Sequence, residues 1–228
     1  MIIFGMPVNQ KYLAAFEYES IYHIYNKTNN KELLFRSEQN FLYFLILYAK
    51  YISPFAGTFA WNLLPNHFHF LLRLKKEKDI EEYIKSLPLD SQTKTEKLYL
   101  VDKDINTLME NEFKRFFTAY AMAFNNMHKR TGNLFYRTFK RVSVTEDSQF
   151  TQSLIYIHAN AQKHGLVKQF DQYKWTSYHS LISEKPTKLL RKEIFDWFGS
   201  KEVFIKTQYE LTEYYYSVQG FLEEDDDF

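Results

Sequence analysis

Two histidines separated by one residue, His67 and His69, are the side chains of this sequence best placed for chemistry. They lie in Trp61-Asn62-Leu63-Leu64-Pro65-Asn66-His67-Phe68-His69-Phe70-Leu71-Leu72, a mostly apolar run with the length of one buried strand. On a strand, residues i and i+2 point to the same face. His67 and His69 therefore project side by side, while Phe68 and Phe70 enter the opposite face. Two parallel imidazoles on a rigid strand make half of a metal site, and the remaining ligands decide which divalent ion it takes. The plain alternative is a pair of strand histidines satisfied by hydrogen bonds. The Pro65-Asn66 break just before the pair, and a second polar stretch further on, favour the metal.

That second stretch is a helix expected over about 147–164. Phe150, Leu154, Ile157 and Ala161 form its core-facing stripe, with steps of four, three and four. Gln152, Tyr156, Asn160 and His164 recur every four residues and form a separate polar stripe. A helix with such a face is suited to lie over a polar site. An amide oxygen is a hard ligand for Mg²⁺ or Mn²⁺, so Asn160 would complete what His67 and His69 begin. Tyr156 would then sit within one helical turn of the metal.

The elements that must position these groups read in order. Ser20–Asn26 is aromatic and β-branched and reads as a first strand. Ser37 is an N-cap for a helix over 38–50, with Phe41, Phe44, Leu45 and Tyr48 at helical spacing. Strands follow at 55–63 and 67–74, with Pro65-Asn66 as the turn between them. The charged stretch 75–112 reads as two helical pieces, 78–87 and 104–112, around a loop near Pro88. A long helix over 111–128 carries Phe113, Phe116, Phe117, Tyr120 and Phe124. A loop leads to a strand ending at Arg141–Val144, and the 147–164 helix stops at Gly165, where left-handed geometry is wanted. The pattern predicts an α+β fold: a ferredoxin-like split βαβ antiparallel sheet with helices on one face, and a helical C-terminal extension. The expected organisation is one domain over 1–182, with an insertion at about 75–112, then an extension over 183–228.

The 228 residues contain no cysteine, which excludes disulfides, a thiolate nucleophile and Cys-ligated zinc or iron–sulfur centres. The start lacks the basic and long apolar regions of a signal peptide, and no window resembles a membrane span. A cytoplasmic protein is expected. Net charge is +1, but residues 223–227 are five consecutive acids, and the remainder carries +6. Residues 113–141 hold seven Lys or Arg and no acid, as a surface for an anionic partner would. Aromatic content of 19% supplies rings suited to stacking on bases.

Leu64-Pro65-Asn66-His67-Phe68-His69 resembles the HUH motif (histidine, bulky hydrophobic residue, histidine) of REP-associated tyrosine transposases, relatives of the small single-strand transposases. Four more stretches resemble that family in its own order. Tyr22–Asn30 is similar to its opening strand and turn. Phe124-Asn125 with Lys129–Lys140 is similar to its basic loop. Tyr156-Ile157-His158-Ala159-Asn160 with Lys163-His164-Gly165 is similar to its nucleophile helix, and Trp175-Thr176-Ser177-Tyr178 to the Trp-Ser-Ser-Tyr that comes next. The family usually has proline after the helix asparagine, where this chain has Ala161. Segments 75–112 and 185–228 have no counterpart in the pattern.

The resemblance implies a metal-dependent single-stranded DNA endonuclease and strand transferase. Tyr156 would attack a backbone phosphorus and form a 5′-phosphotyrosine, with Mg²⁺ or Mn²⁺ held by His67, His69 and Asn160. Lys129, Arg130, Arg137, Lys140 and Arg141 would track phosphates, with Phe135 and Tyr136 available for stacking. The implied partner is single-stranded DNA carrying a hairpin or palindromic repeat, and the protein would be a monomer or homodimer. Tyr120 is an alternative nucleophile, but its spacing with Phe116, Phe117 and Phe124 places it in the core. His23, His128, His158 and His179 are expected to be structural or incidental. Two other functions compete: a domesticated DNA- or RNA-binding protein that keeps the fold without catalysis, and an unrelated metal-dependent hydrolase that does not use Tyr156.

Overall fold

The computed structural model describes residues 13–29, 32–136 and 138–217. Arg137 and the acidic run 223–227 lie outside the described residues. Four strands form one antiparallel sheet in the order β2-β3-β1-β4, with β1 Ile21–Lys27, β2 Ala56–Leu63, β3 His67–Leu74 and β4 Lys140–Val144. This is the expected split βαβ sheet, with the hairpin β2–β3 at one side and β4 at the other.

Period-two alternation in the central strands separates two cores. Tyr22, Ile24, Phe68, Phe70 and Leu72 enter the first, together with helix α1 (Glu38–Tyr51) and helix α4 (Ile105–Met127). Phe44 meets Phe68, Phe116 and Tyr120 there at ring-centroid distances of 5.0, 4.7 and 4.9 Å. Tyr120 is buried and donates to Leu34 O at 2.6 Å, so it belongs to this core. The two helices of the split βαβ units thus share one face, as expected. The opposite face carries Phe59, Ala60 and Leu71 and is covered by helix α5 (Asp147–Lys163). With helices on both sides, β3 is buried along almost its whole length.

Three local differences from the sequence reading have simple causes. Helix α4 runs unbroken from Ile105 and absorbs the expected 104–112 piece, because Asp104 caps it by accepting from Thr107 N at 3.0 Å. Helix α2 (Glu77–Ser86) falls where expected, but α3 (Lys94–Asp102) lies between the loop near Pro88 and the expected 104–112 piece, where no element is expected. Its signal was present: Thr93 and Glu96 form a reciprocal capping box. The last strand begins one residue earlier than expected, at Lys140.

After α5, the chain turns back at Gly165, whose φ is +67°. Residues 175–190 then run along the outer edge of β2. Leu63 N donates to Trp175 O, Ser177 N to Trp61 O and Leu190 N to Thr58 O, each at 2.9 Å. These bonds occupy the edge that would otherwise offer unpaired backbone groups. Helices α6 (Tyr178–Ile182), α7 (Arg191–Phe198) and α8 (Lys201–Ser217) complete the second core through Tyr178, Leu181, Ile194 and Phe204.

Candidate active site

His67 and His69 share the α5 face of β3, with ring centroids 5.2 Å apart. Both are buried. Helix α5 crosses above them and directs Asn160 at His67, with Asn160 Oδ1 3.3 Å from His67 Nε2. Tyr156, one turn earlier, stands edge-on to His69 at 5.6 Å and to His23 at 5.9 Å. His164, one turn later, stands edge-on to His67 at 5.0 Å. Three residues of the polar stripe, Tyr156, Asn160 and His164, therefore face the histidine pair, while Gln152 is exposed. Asn62 on β2 donates to Ile157 O at 2.6 Å and fixes α5 against the sheet.

Burial makes both imidazoles weak bases. Desolvation, then the neighbouring His164, drops His67 to about 3. Desolvation, then His23, holds His69 well below the usual histidine range. Both rings are therefore neutral at pH 7, the form that offers a lone pair to a metal.

Second contacts decide which nitrogen offers it. Asn66 Oδ1 lies 2.7 Å from His67 Nδ1 and, as an acceptor, holds the proton there. His67 Nε2 then offers its lone pair toward the side-chain amide of Asn160, whose Nδ2 is buried with no hydrogen-bond partner. On the neighbouring ring, His69 Nδ1 lies 3.0 Å from His23 Nε2, while His69 Nε2 is buried with no hydrogen-bond partner. A buried imidazole nitrogen without a hydrogen-bond partner, beside an amide side chain and a second imidazole, fits a cation. His67, His69 and Asn160 lie close enough together to hold one divalent ion, which would supply a Lewis acid at this point. Among the described residues no group of three or more His, Cys, Asp and Glu could hold a metal.

Of the expected DNA-binding residues, Lys140 lies on the site's face, with Nζ 5.4 Å from the Tyr25 ring centroid. Lys129 begins the loop after α4 with a left-handed φ of +50°. The two arginines are engaged elsewhere. Arg130 is paired with Glu32 at 2.6 and 3.0 Å and also donates to Gly132 O and Asn133 O, which ties the loop together. Arg141 is buried on the opposite face, 2.5 Å from Glu110 and stacked on Phe16 and Phe139. Both are structural in this fold because strand alternation turns Arg141 away from Lys140 and an acid meets each guanidinium. Phe135 is buried, whereas Tyr136 is 50% exposed, with Lys27 Nζ 5.8 Å from its ring centroid.

Four contributors were not foreseen: His23, Asn66, Lys27 and Lys163. Lys163 Nζ lies 5.3 Å from the Tyr156 ring centroid. Alternation along β1 puts His23, Tyr25 and Lys27 on one face, a signal present in the sequence. The register that brings that face beside His69 is tertiary: Tyr25 pairs with His69 and Lys27 with His67.

The four-stranded antiparallel sheet with its surrounding helices has a counterpart among solved structures. A solved structure of a REP-associated tyrosine transposase bound to a REP hairpin matches with a TM-score of 0.50 at 15% identity, over 76% of this chain and 86% of that one. At this identity the likeness is one of fold. No protein-family model matches the chain, and no curated protein does. Among the described residues, no helix is long and apolar enough to cross a membrane.

Proposed function

We propose that this protein is a metal-dependent single-stranded DNA endonuclease and strand transferase acting through a covalent 5′-phosphotyrosine at Tyr156. The observation that carries this reading is the approach of Asn160 Oδ1 to His67 Nε2 beside the unpartnered His69 Nε2, with Tyr156 one turn away. His67, His69 and Asn160 would hold Mg²⁺ or Mn²⁺. When bound, such an ion polarises a scissile phosphate and offsets the charge that develops on it. Tyr156 Oη attacks phosphorus, the P–O3′ bond breaks, and the 3′-oxygen leaves and takes up a proton. The phosphotyrosine conserves the bond, so another 3′-OH can reverse the step onto a new strand. Lys163 places a cation beside the ring where negative charge collects as the phenol loses its proton. Lys27, Lys140 and Lys129 supply further positive charge for phosphates, and the exposed Tyr136 offers a ring for a base. The hairpin in the structural neighbour makes a hairpin-bearing single strand the first substrate to try.

One observation favours a second reading, a nucleic-acid-binding protein without catalysis: Tyr156 is only 3% exposed. Incubation with a labelled hairpin-bearing single strand and Mn²⁺, followed by denaturing electrophoresis, separates the two. A protein-linked band that Tyr156→Phe abolishes, with DNA binding kept, supports the transferase. Binding without any band supports the second reading, and a band retained by Tyr156→Phe moves the nucleophile elsewhere.

A further inference from the structure

Behind α5, on the side away from the candidate site, lies a buried polar chain that the proposed reaction does not use. His158, Ser177 and Gln208 are all buried. Trp61 N donates to Ser177 Oγ at 2.8 Å, and Ser177 Oγ lies 2.9 Å from His158 Nε2. His158 Nδ1 lies 3.0 Å from Gln208 Oε1. Because Gln208 Oε1 only accepts, His158 carries its proton on Nδ1, and the Ser177 hydroxyl donates to Nε2. Gln208 Nε2 then donates to Ile155 O and Thr212 Oγ1, both at 3.2 Å. Every polar atom of the His158 ring and the Gln208 amide has a partner. The chain links three elements: the β2 edge through Ser177, α5 through His158 and Ile155, and the C-terminal helix α8 through Gln208.

At about 100° per residue, His158 is about 200° from both Tyr156 and Asn160 around the helix, so it points to the back when they point to the site. The apolar residues around α5 (Leu154, Ile157, Phe204) resist its removal but hold its rotation only loosely, since burial is non-directional. Hydrogen bonds have direction. A rotation of roughly 20° would carry a side-chain tip at about 5–6 Å from the axis through roughly 2 Å. Metal ligation tolerates only about ±0.2 Å.

We propose that α8 sets the rotation of α5 through the Gln208–His158–Ser177 chain, making these three the positioning residues that aim Asn160 and Tyr156 at the histidine pair. The C-terminal extension is then part of the site's frame, and a partner or cleavage that moved α8 would detune the site without touching it. The inference rests on the transferase reading for its kinetic readout only.

The test uses the full chain. Gln208→Leu leaves the His158 Nδ1–H buried and unpaired, so its melting temperature should fall. Replacing both partners, His158→Leu with Gln208→Leu, removes the orphan and should recover much of that loss. A merely structural role predicts that function recovers with stability. The positioning role predicts that it does not: Mn²⁺ affinity of the double variant should stay about tenfold or more below the unmodified protein. Its adduct rate should stay about a hundredfold below. A double variant with recovered melting temperature and unmodified Mn²⁺ affinity overturns the proposal. A crystal structure of the double variant decides the same point without metal or DNA. Asn160 Oδ1 turned away from His67 Nε2 supports the proposal, and the 3.3 Å approach retained overturns it. An unmodified protein that forms no adduct sinks the transferase reading but leaves this structural outcome decisive.

Discussion

Replacing His23 tests whether the two histidines are metal ligands or merely packed rings. His23 Nε2 lies 3.0 Å from His69 Nδ1. For His69 to present Nε2 to a metal, Nδ1 must keep its proton, and His23 must accept it. His23→Leu removes that acceptor. The buried Nδ1–H is left unpaired at a cost of about 1–3 kcal/mol, and the ring can relieve it by moving its proton to Nε2, which blocks the lone pair. Losing such an outer partner typically costs 10–100-fold in metal affinity, or about 1.4–2.8 kcal/mol. His23→Gln offers an amide oxygen at similar reach and should recover most of the affinity. Titration with Mn²⁺, following the free ion by electron paramagnetic resonance, measures this without substrate. The expected order is unmodified, then His23→Gln, then His23→Leu, with the last at least tenfold weaker. Equal affinities for all three would refute the assignment of His69 Nε2 as a ligand. A histidine on the strand beside the pair would then be packing alone.

Two further predictions follow from charge. Changing Lys129 and Lys140 together to Ala should lower the log–log salt slope of single-strand binding by about 0.7 for each phosphate that is no longer neutralised, and an unchanged slope would show that neither meets DNA. Burial drops His158 to about 4, so the unfolded chain takes up a proton there first as pH falls. Its contribution leaves stability intact above about pH 6.5 and erodes it by about 3 kcal/mol between pH 6.5 and 4. Urea unfolding of the unmodified protein and His158→Gln at pH 7 and 4 should therefore show the difference between them shrinking as pH falls. Parallel curves would mean that His158 is protonated in the fold.

The split βαβ sheet was legible because alternation and helical spacing are strong where rings mark them. Phe68 and Phe70 against His67 and His69 on β3, and the Phe113–Phe124 stripe on α4, each select one face. The four-residue stripe on α5 likewise pointed Tyr156 and Asn160 together. What remained hidden was anything set by partners distant in sequence. Arg130 and Arg141 look like free cations until Glu32 and Glu110 fold against them. His23 and His158 look incidental because their hydrogen bonds span 46 and 50 residues. Helix α3 was missed for a different reason: its Thr93–Glu96 box was readable, but the charged, weakly periodic residues that follow were not.

The burial of Tyr156 follows from how the site is supported. The sheet holds His67 and His69 rigidly, but a nucleophile on a helix needs support from both sides. Below, Asn62 and Leu71 seat α5 on the sheet; above, Gln208 and Phe204 close over it. Among the described residues, the C-terminal end of α5 is exposed beside the site. Residues 164–166 are exposed there, and His164 stands between solvent and His67. Under the proposed transferase reading, a phosphate that reached the histidine pair from this end would pass Lys163 and His164 and meet Asn160 before Tyr156. That order would suit the proposed chemistry, since the phosphate would be fixed at the Asn160 end before Tyr156 had to reach it.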